Sequence, residues 1–457
     1  MEVKKDINRT IFREYDVRGE YGTQIDAATA YTIGLAYGTK AKSLGKTHCV
    51  VGHDNRLSGE ELAEALIEGI LNTGMNISYL GLCTTPMYYF ACLHLKIDTG
   101  VMVTASHNPV GDNGFKIALS NYDNACGDAI RELYDIAIEG KFATGRGTIE
   151  NVEIQSEYVK RVVRDIDLPR RLKVVVDPAN ASASIVVHDI FDKLNLEVIY
   201  INDVSDGSFP NHHPDPSIEE NMAQLKKAVL DNEADLGIGL DGDADRVGII
   251  DEKGCFVSVD TLMAVIWNDL MPKVENKTAL YDVKCSKQLE DEILKLGGKP
   301  FVYRTGNSYQ KNKIKEMDLA FGGELSGHMF FRDKWDGFDD GIYAGLRLME
   351  IISHGNKSMS DLYSGFNKYY STPEIKIGTE EEKKFAIVEK VLDFAKNEEA
   401  EVITVDGVRV QYSDGWALVR ASNTGPNLTL RFEGATKRRR DELKELYTNL
   451  VDKLNRE

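Results

Sequence analysis

The chain has few cysteines and none in a pair: Cys49, Cys83, Cys92, Cys126, Cys255 and Cys285 are scattered over 457 residues with no C-x-x-C. That reads as the reduced thiols of a cytoplasmic protein and not as a disulfide frame. Long apolar runs are missing too. No stretch of about 18 apolar residues is present to span a bilayer, and the start Met1-Glu2-Val3-Lys4-Lys5-Asp6 leads into no apolar segment of a signal peptide. Basic charge is in short supply, with 55 Lys and Arg against 73 Asp and Glu for a net charge of −18. General binding to nucleic acid or to an anionic membrane needs a basic footprint and is not expected. An anionic ligand would need its own local cations.

What is present is a globular composition, 42% hydrophobic and 28% charged. The length suits about three domains. Residues 12–19 form a charged stretch carrying Tyr15 and Arg18, which reads as a surface loop before a helix over 26–44. A short buried strand at 49–54, a helix at 60–72, a strand at 77–82 and a further helix lead to the apolar run Val101-Met102-Val103. That run ends in Thr104-Ala105-Ser106-His107-Asn108-Pro109, placing a hydroxyl at the carboxyl end of a strand, where open α/β sheets do their chemistry. An ordinary turn serine is the alternative. Asn113-Gly114-Phe115-Lys116 reads as a turn that swings Lys116 over that hydroxyl.

A second segment repeats the theme, with strands at 172–177, 196–201 and 235–240, the last running into Asp241-Gly-Asp-Ala-Asp-Arg246. A third has strands at 279–283, 301–303 and 319–321, followed by Lys284, by Arg304-Thr-Gly-Asn307 and by Gly322-Gly-Glu-Leu-Ser-Gly-His328. Strands alternating with helices imply α/β layers, so the pattern predicts three similar α/β units. From about residue 368 the texture changes to strands at 402–412, 416–420 and 428–432 with Asp-Gly turns, closed by an amphipathic helix at 441–454. This is a smaller α+β unit.

Asp241, Asp243 and Asp245 put three carboxylates at alternate positions, and hard oxygen ligands at that density suit Mg²⁺ or Ca²⁺. With Glu252 the spacing imitates an EF-hand, but Arg246 stands where that loop needs glycine and the flanks read as strands. A solvated acidic turn stays open. Glu324, Ser326 and His328 on a glycine-bracketed loop are suited to sugar hydroxyls, or equally to a helix cap. Arg420, Ser422, Asn423 and Thr424, with Arg431 downstream, offer phosphate-binding groups, or an exposed charged hairpin. His212-His213 lacks a third soft ligand nearby and reads as part of a proline-rich loop.

Taken in order, these motifs resemble the α-D-phosphohexomutase superfamily, most closely its bacterial phosphomannomutase/phosphoglucomutase branch. The likeness runs over essentially the whole chain, through Tyr15 to Gly19, residues 104–109 with Lys116, residues 209–216, 241–246, Lys284-Cys285-Ser286, 323–328, Phe338-Asp339-Asp340-Gly341 and 420–433. The resemblance implies four domains around a central cleft: a phosphoserine domain (1–151), a metal-binding domain (152–254), a sugar-binding domain (255–367) and a phosphate-binding lid (368–457). It implies that Ser106 is the phosphoserine and that Asp241, Asp243 and Asp245 bind Mg²⁺ together with an oxygen on Ser106. Glu324, Ser326 and His328 would read the sugar, and Arg420, Ser422, Asn423 and Thr424 would hold the idle phosphate. Tyr15, Arg18, Lys116, Arg246 and Lys284 would line the reaction zone, with Lys116 or Arg18 accepting the proton.

The activity so implied is interconversion of the 1- and 6-phosphates of mannose or glucose through a hexose 1,6-bisphosphate, which also serves as activator. Asn307 stands where the family usually has a histidine, so an amide replaces a group that titrates near neutrality. Phosphoglucosamine mutases resemble the chain but usually have Gln where Leu325 stands. A glucose-1,6-bisphosphate synthase and a non-catalytic sugar-phosphate or Ca²⁺ binder are the other readings. Sugar preference, resting phosphorylation of Ser106 and oligomeric state are not legible.

Overall fold

The structure, a computed structural model, describes residues 1–422 and 425–456. Its first helix, Ala27–Ser43, starts where Asp26 accepts the Thr29 amide at 2.8 Å, satisfying one of the orphan donors of a helix start. It crosses a second helix, Gly59–Asn72, at two glycines. A Cβ added to Gly34 would lie 2.3 Å from the Leu66 carbonyl oxygen, and one on Gly69 would lie 2.2 Å from that of Tyr31. The two backbones meet because neither glycine has a side chain.

These helices cover a mixed sheet. His48–His53 runs parallel to Asn76–Leu82 on one side and to Gly100–Val103 on the other. Gly100–Val103 then pairs antiparallel with Asp112–Ser120, which pairs with Val17–Glu20. Two expectations are corrected here. Lys116 is not in a turn but in mid-strand opposite Met102, because the hairpin closes earlier, over 104–111. The stretch around Arg18 is not a surface loop but includes a short strand whose Val17 is fully buried; four residues are too few for a legible alternation.

The second sheet has the order Phe256–Val257, Val247–Asp251, Leu236–Leu240, Leu172–Asp177, Leu196–Tyr200. Leu240 pairs with Val247, so the aspartate-rich segment is the tip of an antiparallel hairpin. Helix Gly341–His354 packs on this sheet, where a Cβ on Gly345 would come 2.7 Å from Ile238. A third sheet runs Thr278–Asp282 parallel to both Lys299–Tyr303 and Phe321–Gly323. The last strand is two residues later than expected, so Gly322 and Gly323 belong to the sheet and not to a loop. Gly322 fits there because a side chain would press within 2.9 Å of the Leu280 carbonyl oxygen. The C-terminal sheet is an antiparallel meander of Glu401–Ile403, Val408–Tyr412, Gly415–Ala421 and Asn427–Gly434. Its core joins Val410, Val419, Leu430 and Phe432 to Val391, Leu443 and Tyr447 of two helices, Lys384–Ala395 and Lys437–Arg456.

The architecture is therefore α/β, with three mixed or parallel sheets and a smaller α+β C-terminal domain. The chain forms two compact units, residues 1–258 with 326–362, and 259–325 with 363–457. Among the described residues no helix is long and apolar enough to cross a membrane.

Replacing Gly34 or Gly69 by alanine will force the first two helices apart and lower stability by about 1–3 kcal/mol. Urea or guanidinium denaturation reads this directly, and an unchanged midpoint would refute the glycine-mediated crossing.

Candidate active site

Ser106 follows the buried strand Gly100–Val103 in a turn fixed by Thr104, whose Oγ1 accepts the Ser106 amide at 2.8 Å. Its φ is +50°, a left-handed conformation that costs a non-glycine residue about 1–3 kcal/mol and persists only where the surroundings impose it. The hydroxyl donates to Asp241 Oδ2 at 2.9 Å. The aspartate hairpin reaches the serine because its second residue is Gly242: a Cβ there would sit 2.3 Å from the Ser106 carbonyl oxygen.

Asp241, Asp243 and Asp245 are fully buried, and one oxygen from each lies within 4.8 Å of the others. Lys116 Nζ reaches Asp243 at 2.6 Å and Asp245 at 2.5 Å. Thr85 donates its hydroxyl to Asp243 at 2.6 Å. Arg246 stands off, with Nε 3.9 Å from Asp241 and 4.0 Å from Asp245. Three carboxylates against two cations leave a negative excess, and Oδ1 of both Asp243 and Asp245 is buried without a hydrogen bond. Buried charge of this kind is tolerated when it is paired or coordinates a metal, so the donor set fits a hard divalent cation.

The electrostatics follow from crowding. Burial, then the neighbouring Asp245 and Asp243, push Asp241 well above the usual carboxylate range. Burial and Asp243 raise Asp245. Asp243 alone is held low, since Lys116 outweighs its burial. Burial works against the Lys116 ammonium, but Asp243 and Asp245 more than offset it and hold that group as a cation.

His328 belongs to this cluster. Its Nδ1 lies 2.6 Å from Asp339 and 3.6 Å from Asp245, and its Nε2 accepts from Arg246 Nε at 3.0 Å. Those partners assign the proton to Nδ1. Arg18 joins the serine turn through Asn108 at 2.8 Å and pairs with Asp16 at 2.6 Å. Tyr15 is half-buried just ahead of that strand, and Ser326 is half-buried in the same unit as His328.

The other residues singled out lie in the second unit. Lys284 pairs with Glu374 at 2.8 Å, and Arg420 with Asp406 at 2.8 Å. Arg431 donates to the Lys284 carbonyl, and Lys384 to that of Ser422 at 2.8 Å. Lys284 holds the Glu374 carboxyl down at about 2. Glu324 accepts the Gly306 amide at 2.5 Å, and Asn307 opens helix Asn307–Glu316. Asn423 and Thr424 lie outside the described residues. The unit division separates Glu324 from Ser326 and His328.

Sequence reasoning missed Thr85, Asp339 as the partner of His328, and Arg56, a buried cation beneath the serine turn. The available signal for Arg56 was its place after the strand His48–His53, at the same sheet edge as Ser106.

Family models of phosphoglucomutase/phosphomannomutase alpha/beta/alpha domains I, II and III match residues 9–144, 156–254 and 258–369, and that of the C-terminal domain matches 374–449. The chain is 40% identical over 440 residues to the phosphomannomutase/phosphoglucomutase of Pseudomonas aeruginosa, covering 96% of this chain and 95% of that one. It is 36% identical over 451 residues to the phosphoglucomutase of Neisseria meningitidis, covering 98% of each. The crystal structure of a phosphoglucomutase/phosphomannomutase family protein from Burkholderia thailandensis matches with a TM-score of 0.91 at 35% identity, covering 98% of each chain.

Asp243→Asn removes the negative charge and exchanges one of the two carboxylate oxygens for an NH2; divalent-cation affinity, titrated calorimetrically, is expected to fall by about 10- to 100-fold. In the second unit, Glu374 binds its proton more weakly folded than unfolded. Its contribution to stability is therefore present above the ordinary glutamate pKa of about 4.3 and lost as pH falls towards about 2. Glu374→Gln should flatten the acid limb of the stability–pH curve.

Proposed function

The chain belongs to the phosphoglucomutase/phosphomannomutase family and is an enzyme of it, and from that premise we propose that it interconverts the 1- and 6-phosphates of mannose and glucose with Ser106 as the phosphoryl carrier. The observation that carries this reading is the Ser106 hydroxyl 2.9 Å from Asp241, beside two buried carboxylate oxygens without hydrogen bonds. Asp241, Asp243 and Asp245, with an oxygen of phosphorylated Ser106, are the residues that would hold Mg²⁺. Bound there, the ion supplies positive charge against the oxygens of the transferring phosphoryl group.

The rest falls to the chain. In the first half-reaction the P–O bond of phosphoserine breaks and a new one forms to the free hydroxyl of a hexose monophosphate, which loses its proton. In the second, the other phosphate of the bound 1,6-bisphosphate returns to Ser106. Such transfers depend on positioning and on neutralising spread charge. Arg246, Lys116 and Arg18 are the cations placed for that work in the first unit. Lys116 is tied to Asp243 and Asp245, and Arg18 to Asp16 and Asn108. Proton acceptance by Lys116 requires it first to give up its own proton, which Asp243 and Asp245 oppose by holding it as a cation.

Glu324, Ser326 and His328 are assigned to the sugar hydroxyls. Arg420, Ser422, Asn423 and Thr424 are assigned to the phosphate that is not reacting, Tyr15 and Lys284 to the lining of the reaction zone, and Asn307 to substrate contact. On this reading residues 1–151, 152–254, 255–367 and 368–457 contribute serine, metal, sugar and phosphate recognition in turn. Free hexose 1,6-bisphosphate acts as activator by reloading Ser106.

A coupled assay with Mg²⁺ and glucose 1,6-bisphosphate should register turnover of both mannose 1-phosphate and glucose 1-phosphate. Ser106→Ala should lose turnover while still binding hexose phosphate, and peptide mapping of the wild type should find the phosphate on Ser106. Absence of conversion of either sugar phosphate by the wild type would defeat the reading.

A further inference from the structure

Arg56 is a buried guanidinium to which the phosphoryl-transfer reading gives no task. It is 3% exposed. Nη2 donates to the carbonyl oxygens of Ser106 at 2.7 Å and Asn108 at 2.6 Å, and Nη1 to those of Pro109 at 2.7 Å and Asp112 at 2.9 Å. One side chain thus collects four carbonyls from the seven residues 106–112, the end of the turn and the first residue of the next strand. Its charge is met by Asp54, 3.3 Å from Nε, and its face lies over the Phe209 ring at 5.3 Å. Asp54 Oδ1 also accepts the Arg56 amide at 3.0 Å, which fixes the root of the side chain.

We propose that Arg56 is a positioning residue for the phosphoryl carrier: it gathers the turn's carbonyls and so holds Ser106 in the left-handed conformation that aims its hydroxyl at Asp241. The inference rests on the reading of Ser106 given above. The turn has a reason to need such a device. Ser106 has a positive φ without being glycine, and its carbonyl is wedged against Gly242. Released from the clamp, the turn can relax towards ordinary backbone angles and swing the hydroxyl off its line. Arginine suits the task because its planar fork presents separate donors at both ends. A lysine concentrates its donors at one point and cannot span four carbonyls spread over two ends. Arg56 touches no reacting atom, so it acts only through the serine backbone.

The test compares the full-length wild type with Arg56→Lys and Arg56→Gln, measured with glucose 1-phosphate, Mg²⁺ and glucose 1,6-bisphosphate at a temperature below every variant's unfolding midpoint. Aiming predicts kcat lowered about 100-fold with KM little changed, and a displaced ³¹P resonance for phosphorylated Ser106. Methylguanidine added to Arg56→Ala should recover part of kcat, which keeps the test usable should the lysine variant fold poorly. A merely structural role predicts lower thermal stability with wild-type kcat and a wild-type ³¹P signal in the folded fraction, and that result overturns the proposal. A wild type that turns over no hexose phosphate instead removes the reading of Ser106, and the clamp's role with it. An active wild type alongside an equally active Arg56→Lys counts against the clamp alone.

Discussion

Three carboxylates taken out of water within five residues repel one another, and much of the first compact unit is arranged around that repulsion. Lys116 comes from the middle of a strand in the first sheet to bridge two of them, and Thr85 adds a hydroxyl to the same oxygen of Asp243. Arg246, the next residue after the triad, turns its guanidinium partly towards His328, which is itself anchored by Asp339. Even so the count does not balance, and the two oxygens left bare are where a hard cation belongs. A buried excess of negative charge of this kind favours the binding of a cation.

The backbone around the triad is equally constrained. Gly242 lets the hairpin tip touch the serine turn, and Gly341 lets the start of helix Gly341–His354 sit against the Arg246 carbonyl, where a Cβ would lie 2.3 Å away. Side chains at either place would push the Ser106 turn or the Arg246 backbone away from its neighbour. In the second unit the same economy appears with opposite sign. Lys284 and Arg420 stand paired to Glu374 and Asp406, so the cations there are held in place by the chain's own anions. A phosphate held there, as proposed above, would compete with those carboxylates for the same cations.

How much of this was legible depended on range. Strands such as Leu172–Asp177 and the helix capped by Asp26 were readable because short apolar runs, length and turn chemistry are local. The convergence of Ser106 on residues 135 or more positions away was suggested by the strand-end rule and by resemblance, not by any local signal. Lys116 was expected near the serine but in the wrong element, since Asn113-Gly114 looks like a turn when read without its partner strand. In fact Gly114 lies opposite Arg18 inside the sheet. Arg56 escaped notice because its work is done on main-chain carbonyls, which carry no residue identity in a sequence. His328 was read as a sugar ligand from its loop; its place beside the carboxylate cluster, against Asp245 and Asp339, was not legible there because both partners are remote in the sequence.

Ser106 is 1% exposed, at the end of a buried strand, with its carbonyl tied down from below. A protein kinase grips an extended segment with the hydroxyl protruding, and this serine cannot be offered that way without unfolding the turn. If Ser106 carries the phosphoryl group as proposed, whatever loads it has to be a molecule small enough to enter, and the occupancy of one serine would then follow the metabolite pool around it.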